Sequence, residues 1–150
     1  MANPLTADDR FEIEDLLGRY FWAVDTADVD AVVAVFTHDA VVRYGTGQRY
    51  EGSDGIRGFA IRAIGDHTAR GRMHFSRPLF VEVRGDAVLM RSYLISPRWT
   101  AHDNAIVLGT LRHTEDLFIK TAGGWRIQER AIFLWNDQTA PRAPEAAQKT

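Results

Sequence analysis

Leu79-Phe80-Val81-Glu82-Val83-Arg84-Gly85-Asp86 decides the fold, because it sets a period of two and then breaks it. Leu79, Val81 and Val83 alternate with Phe80 and Glu82, and Arg84-Gly85-Asp86 is the turn that sends the chain back. Val88 to Trp99 reads as the return strand. Upstream, Met73-His74-Phe75 opens the same β region. Downstream, Trp99 to Asn104 is polar and loop-like, and one long strand is expected from about Ala105 to Ile119. Thr121-Ala122-Gly123-Gly124 then turns the chain into a last strand, Trp125 to Trp135.

The chain before this meander has a different period. Thr6 reads as an N-cap with Asp8 and Asp9 in the first turn, where the helix dipole favours negative charge. Ile13, Leu16, Leu17, Tyr20, Phe21 and Val24 follow as one apolar stripe at helical spacing. A short second helix is capped by Asp28 or Asp30 and carries Val32, Val33, Val35 and Phe36. Ala40 to Tyr44 reads as a strand, Gly45-Thr46-Gly47-Gln48 as a turn and Tyr50 to Gly52 as a short partner strand. A third helix starts at Ser53 and Asp54 and carries Ile56, Phe59, Ala60, Ala63 and Ile64, with Gly55 and Gly58 against it. Helices first and an antiparallel meander after them define an α+β protein, a curved sheet wrapped around N-terminal helices with a conical cavity. Residues 1–136 are read as one domain and 137–150, rich in Ala, Pro and Gln, as a C-terminal tail or an arm onto a neighbour.

The bulk composition excludes several classes. A net charge of −2 without a Lys/Arg-rich run argues against nucleic acid and anionic membranes as partners. The absence of cysteine excludes disulfides, thiol catalysis, Cys-zinc sites and Cys-ligated iron–sulfur clusters. No signal peptide or membrane span is apparent, so a cytoplasmic protein is expected.

Two ionisable residues in apolar surroundings are the candidates for chemistry, since such groups are costly unless they satisfy each other or react: Asp25, ending Tyr20-Phe21-Trp22-Ala23-Val24-Asp25, and His74. At 100° per residue Asp25 falls roughly 110° from the centre of the apolar stripe, at the edge of the buried face. It reads either as a turn or cap residue before Asp28 or as the partner that orients a general-base histidine. His38 sits at a helix end, His67 and His102 in loops, and His113 on a strand where it reaches either the cavity or the sheet face. No His-x-His or His-Glu-x-x-His pattern exists, so no metal site is expected; Gly45-Thr46-Gly47 is a turn rather than a phosphate loop, and no Gly-x-Ser-x-Gly elbow is present.

The segments Ile13 to Tyr20, Val24-Asp25, Asp28-Val29-Asp30, Val35-Phe36-Thr37-His38-Asp39-Ala40, Tyr50-Glu51-Gly52, Met73-His74-Phe75 and Gly123 to Ile127 occur in the order and spacing of a known family. Over about residues 6–135 the chain resembles the SnoaL-like branch of the nuclear-transport-factor-2-like superfamily. Members similar to scytalone dehydratase and to hexachlorocyclohexane dehydrochlorinase place an Asp–His pair in the cone, and Asp25 and His74 match those two positions. Arg130 matches a cationic position of the dehydrochlorinase type, and Tyr44 lies near a catalytic tyrosine of the dehydratase type. Tyr20 stands where the former carry another cation and Val24 where the latter carry a tyrosine, so neither pattern is complete.

The resemblance implies a cofactor-free lyase or isomerase (dehydratase, isomerase or cyclase type) in which Asp25 fixes the His74 tautomer, His74 removes a proton, Arg130 stabilises the developing anion and Tyr44 holds an oxygen. Read as structure alone, Arg130 is a surface or salt-bridge residue and Tyr44 a half-buried core tyrosine. Tyr20, Phe21, Trp22, Phe59, Phe75, Trp99 and His113 are the expected pocket walls for a cyclic or aromatic hydrophobic substrate. Two other readings use the same fold: the small structural subunit of a ring-hydroxylating dioxygenase, and a small-molecule binder without turnover. A homodimer or homotrimer through the open sheet face is expected in each case.

Overall fold

In the computed structural model, residues 5–65 and 71–141 are described. His67 and residues 142–150 of the expected tail lie outside the described residues. Three helices precede most of the sheet: α1 (Ala7–Asp25), α2 (Val29–Ala34) and α3 (Gly52–Ile64). Between α2 and α3 run β1 (Phe36–Tyr44) and β2 (Arg49–Glu51), and after α3 come β3 (Phe75–Arg84), β4 (Ala87–Ile95), β5 (Arg98–Thr100), β6 (Ala105–Val107), β7 (Leu111–Thr121) and β8 (Gly124–Leu134). One sheet has the order β2-β1-β8-β7-β4-β3, and β5-β6 forms a separate hairpin.

The first helix starts where its chemistry directs. Thr6 accepts from the Asp9 backbone N–H while the Asp9 carboxylate accepts from the Thr6 backbone N–H, a reciprocal capping box. The same Asp9 carboxylate takes Lys120 at 2.6 Å and the Trp125 indole N–H at 3.0 Å, which ties the β7–β8 turn to the helix. The apolar stripe of α1, including Ile13, Leu17, Tyr20 and Val24, is buried with Ile56 and Phe59 of α3 and with Met90, Phe118 and Ile127 of the sheet.

The sheet corrects three expectations. All its pairings are antiparallel except β1 with β8, which run parallel, so the sheet is mixed rather than purely antiparallel. The first strand begins at Phe36, because α2 already ends at Ala34 and Val35 caps it; Val35 and Phe36 are core residues outside the helix. The single strand expected from Ala105 to Ile119 is broken into β6 and β7. At the break Gly109 lies so close to the Ser96 carbonyl that a Cβ would come within 2.3 Å of that oxygen. Only glycine fits there, and the chain uses it to leave the β5–β6 hairpin and join β4.

Strand parity then assigns side chains to faces. On β7 Arg112, Thr114, Asp116 and Phe118 point toward the helices, and His113 and Glu115 point away. On β8 Arg130 and Ile132 share the helix side, paired in register with Asp116 and Thr114. The other face of the sheet leaves Phe75, Tyr93, Ile95 and Leu111 exposed. Among the described residues no helix is long and apolar enough to cross a membrane.

Candidate active site

Between the helices and the sheet lies a cavity of about 480 Å³. Its apolar wall includes Phe21 and Val24 of α1, Phe59 of α3, Leu94 of β4 and Ile132 of β8. Its polar lining is Tyr20, Tyr44, Gln48, Arg62, Arg72, His74, Arg112, Arg130 and Thr139 together with Thr46.

Asp25 closes α1, and His74 lies just before β3 in a segment held by the Met73 N–H to the Pro97 carbonyl at 3.1 Å. The two meet across 49 positions of sequence: His74 Nδ1 is 2.5 Å from Asp25 Oδ1, and the His74 backbone N–H donates to Asp25 Oδ2 at 2.9 Å. One carboxylate therefore fixes both the ring and the main chain that carries it. The pair is largely buried, and Phe21 stacks on the imidazole with ring centroids 5.6 Å apart. His74 lines the cavity, whereas Asp25 stands behind it in an outer groove that also contains Glu14, Trp22 and Pro78. With Nδ1–H donated to the carboxylate, Nε2 is the basic nitrogen; it has no hydrogen-bond partner among the described residues.

Arg130 is the second feature. Its side chain is 1% exposed, and its Nη1 donates to Asp116 Oδ1 at 2.8 Å. Thr114 donates to the other Asp116 oxygen at 3.1 Å. The guanidinium lies over the Tyr20 ring at 4.4 Å and near Phe21 at 5.2 Å. Its Nε and Nη2 are buried with no partner among the described residues. Burial works against the Arg130 charge, but Asp116 with Tyr20 and Tyr44 turns its pKa upward, and arginine keeps its proton in proteins. Burial raises the Asp116 carboxyl, opposed by Arg130 and Thr114. Burial also pushes the Tyr20 hydroxyl up to about 12 and the Tyr44 hydroxyl upward, so both remain protonated donors at neutral pH.

Of the residues singled out from the sequence, Tyr20, Phe21, Tyr44, Phe59, His74 and Arg130 line the cavity, with Asp25 behind His74. Four expected wall residues lie elsewhere. Trp22 faces outward and is 72% exposed, because at 100° per residue it falls on the side of α1 opposite the buried stripe. Phe75 is 52% exposed on the outer sheet face beside Tyr93 and Trp135. Trp99 is 47% exposed on the β5–β6 hairpin, where its indole N–H donates to Asn104. His113 has the wrong strand parity for the cavity and stacks on Phe133, centroids 4.8 Å apart. Burial lowers its pKa.

Sequence reasoning missed Arg62, Arg72, Arg112 and Thr139. Thr139 belongs to the stretch read as a tail; its hydroxyl donates to the Leu134 carbonyl, and its N–H to the Asn136 side chain at 3.0 Å. Among the described residues no group of three or more His, Asp or Glu side chains is placed to hold a metal ion.

A helix-backed cavity in a curved mixed sheet, with His74 on its wall and Asp25 behind it, is the architecture of the cystatin-like, NTF2-like fold. The SnoaL-like domain model matches residues 5–131, and the chain belongs to that family. An uncharacterized protein of Mycobacterium tuberculosis is 33% identical over 128 residues, covering 81% of this chain and 82% of that protein. A cystatin-like-fold protein of unknown function from Nostoc punctiforme superposes with a TM-score of 0.77 at 26% identity, over 90% of this chain and 97% of that one. A candidate aromatic ring hydroxylase from Novosphingobium aromaticivorans gives 0.69 at 29% identity, over 89% and 93%. A candidate scytalone dehydratase from the same organism gives 0.72 at 18% identity, over 94% and 95%, a likeness of fold.

Proposed function

We propose that the protein is a cofactor-free acid–base enzyme of the dehydratase, isomerase or cyclase type, acting on a cyclic or aromatic metabolite in the cavity. The observation that carries this reading is the Asp25–His74 pair, with the ring nitrogen that has no partner among the described residues left to a ligand in the cavity that Arg130 also lines. His74 removes a proton from carbon next to a carbonyl, and Asp25 stabilises the imidazolium that results. The negative charge that develops on the enolate oxygen is offset by the guanidinium charge of Arg130, which lines the same cavity. Tyr20 and Tyr44, protonated and without hydrogen-bond partners among the described residues, are donors to that oxygen.

The test needs no knowledge of the natural substrate. Cyclic ketones and hydroxyketones are incubated with the protein in D2O, and loss of the α-proton signal is followed by NMR. Wild-type protein is expected to accelerate exchange of at least one of them. Asp25→Asn and His74→Asn are expected to reduce that rate by about two orders of magnitude or more, as loss of a general base does. Full exchange in both variants, or none in the wild type, removes the reading.

The similarity to a candidate aromatic ring hydroxylase favours one second reading, the small structural subunit of a ring-hydroxylating dioxygenase. Co-purification with a larger iron protein would support it. In either case the exposed face with Phe75, Tyr93, Ile95 and Leu111 is suited to a homodimer or homotrimer contact.

A further inference from the structure

The cavity is one-sided in charge. Arg62, Arg72, Arg112 and Arg130 all line it, and among the described residues no Asp or Glu side chain does. Arg130 is balanced by Asp116 behind it. The others are not. Arg72 donates through Nη2 to the carbonyls of Ala63 and Ile64 at the end of α3, which fixes its position, and it has no ion pair among the described residues; its Nε is buried without a partner there. Arg112 is half-buried on the concave face of β7, beside Leu94 and Leu134 in register, and makes no hydrogen bond or ion pair among the described residues. Arg62 stands exposed at the end of α3. Burial lowers the Arg112 pKa and the nearby Arg72 charge adds to that, which is the mark of cations gathered without a counter-charge.

Gathering desolvated cations is unfavourable unless something offsets it. An ordinary surface would scatter them or interleave acids. Here the acid is missing from the wall, and the remaining wall is aromatic and aliphatic: Phe21, Phe59, Leu94 and Ile132. A free guanidinium presents a planar fork that matches a carboxylate.

We propose that the cavity receives a cyclic carboxylate, its ring against Phe21, Phe59 and Leu94 and its carboxylate on Arg112, with Arg72 and Arg62 supplying the surrounding positive charge. This deepens the proposed function by naming the substrate class, and it rests on that reading for turnover. The carboxylate neutralises the outer arginines. The carbonyl elsewhere on the ring is left to Arg130 and the tyrosines, so the two cationic groups have separate duties: Arg112 binds, and Arg130 meets the charge that develops.

The test is calorimetric titration of the full chain with matched acids and primary amides of increasing size: benzoate and benzamide, cyclohex-1-enecarboxylate and its carboxamide, 2-naphthoate and 2-naphthamide. At least one acid is expected to bind about tenfold more tightly than its amide, the gain of a charge-assisted fork over a neutral hydrogen bond. Arg112→Gln is expected to bring that ratio to within about twofold, Arg112→Lys to keep part of it, and His74→Asn to leave it intact. No acid preferred over its amide, absence of binding included, overturns the proposal. So does a preference that survives in Arg112→Gln. Acid preference without any α-proton exchange would leave this proposal standing and remove the acid–base reading; exchange of neutral ketones without acid preference would do the reverse.

Discussion

Replacing Asp116 by alanine isolates the buried ion pair between β7 and β8. Asp116 and Arg130 are register partners on β7 and β8, with side chains 0% and 1% exposed and a 2.8 Å hydrogen bond between them. Two unit charges separated by about 4 Å at an effective dielectric of about 20 attract by about 4 kcal/mol. That attraction is lost in Asp116→Ala, while the cost of burying the arginine stays, because a guanidinium cannot shed its proton. Three of its nitrogens, Nε, Nη1 and Nη2, would then be buried without partners, where two are now. The expected loss is about 3–5 kcal/mol. Urea unfolding followed by circular dichroism at fixed protein concentration measures it. With a slope of about 2 kcal/mol/M the midpoint should fall by about 2 M. The double variant Asp116→Leu/Arg130→Met removes both charges and should recover most of the loss, since an apolar pair of similar volume is often as stable as a buried ion pair. A single-variant loss below about 1 kcal/mol, or a double variant as weak as the single one, would refute the view that Arg130 is a compensated buried cation.

Two further outcomes follow from the cavity. Arg112→Gln should stabilise the unliganded protein, by about 0.5–1 kcal/mol and thus a few degrees in Tm, because it removes an unpaired, partly desolvated charge; differential scanning fluorimetry reads this, and a fall in Tm would count against it. Tyr20 gives a pH dependence of definite sign. Burial raises its folded pKa to about 12 from the ordinary tyrosine value of 10.0, so its contribution is fully present below the unfolded pKa and is lost as pH rises toward the folded one. The unfolded chain ionises first, and about 1 kcal/mol should disappear between about pH 9 and about pH 11. Urea midpoints at both pH values should therefore fall less in Tyr20→Phe than in the wild type, and equal falls would contradict the assignment.

What the sequence shows and what it hides separates along the range of the interactions involved. The first helix, its Thr6 cap and its apolar stripe are local, and the structure has them as read. The break at Gly109 is not local, since nothing near Leu108-Gly109-Thr110 announces that the Ser96 carbonyl will lie against it. The parallel pairing of β1 with β8 joins residues about ninety positions apart and leaves no trace in the alternation of either strand. Reading aromatic residues as pocket walls failed at Trp22, Phe75, Trp99 and His113 because composition says that a ring is apolar, whereas helix phase at Trp22, strand parity at Phe75 and His113 and the separate β5–β6 hairpin at Trp99 decide where it lies. Parity was available at β7. Thr114, Asp116 and Phe118 share the phase of Arg112, and an aspartate on the buried phase of a strand is itself a signal that a cation lies opposite.

Among the described residues, the interior of this protein departs from what stability alone would select most visibly where charged side chains are buried. The core around Ile13, Ile56, Met90 and Ile127 is apolar and buried. Along the concave face, the positions that would extend that core carry Arg112, Asp116 and Arg130 instead. A salt bridge placed there for stability would use all of its donors; Arg130 is gripped through Nη1 and leaves Nε and Nη2 without partners. His74 is treated in the same way: both oxygens of Asp25 hold it, one on the ring and one on the main chain, and Nε2 is left over. In each case the protein immobilises one edge of a polar group and leaves the other edge unpaired in a group that lines the same cavity. Such half-satisfied groups lower stability, and they persist where a ligand completes them.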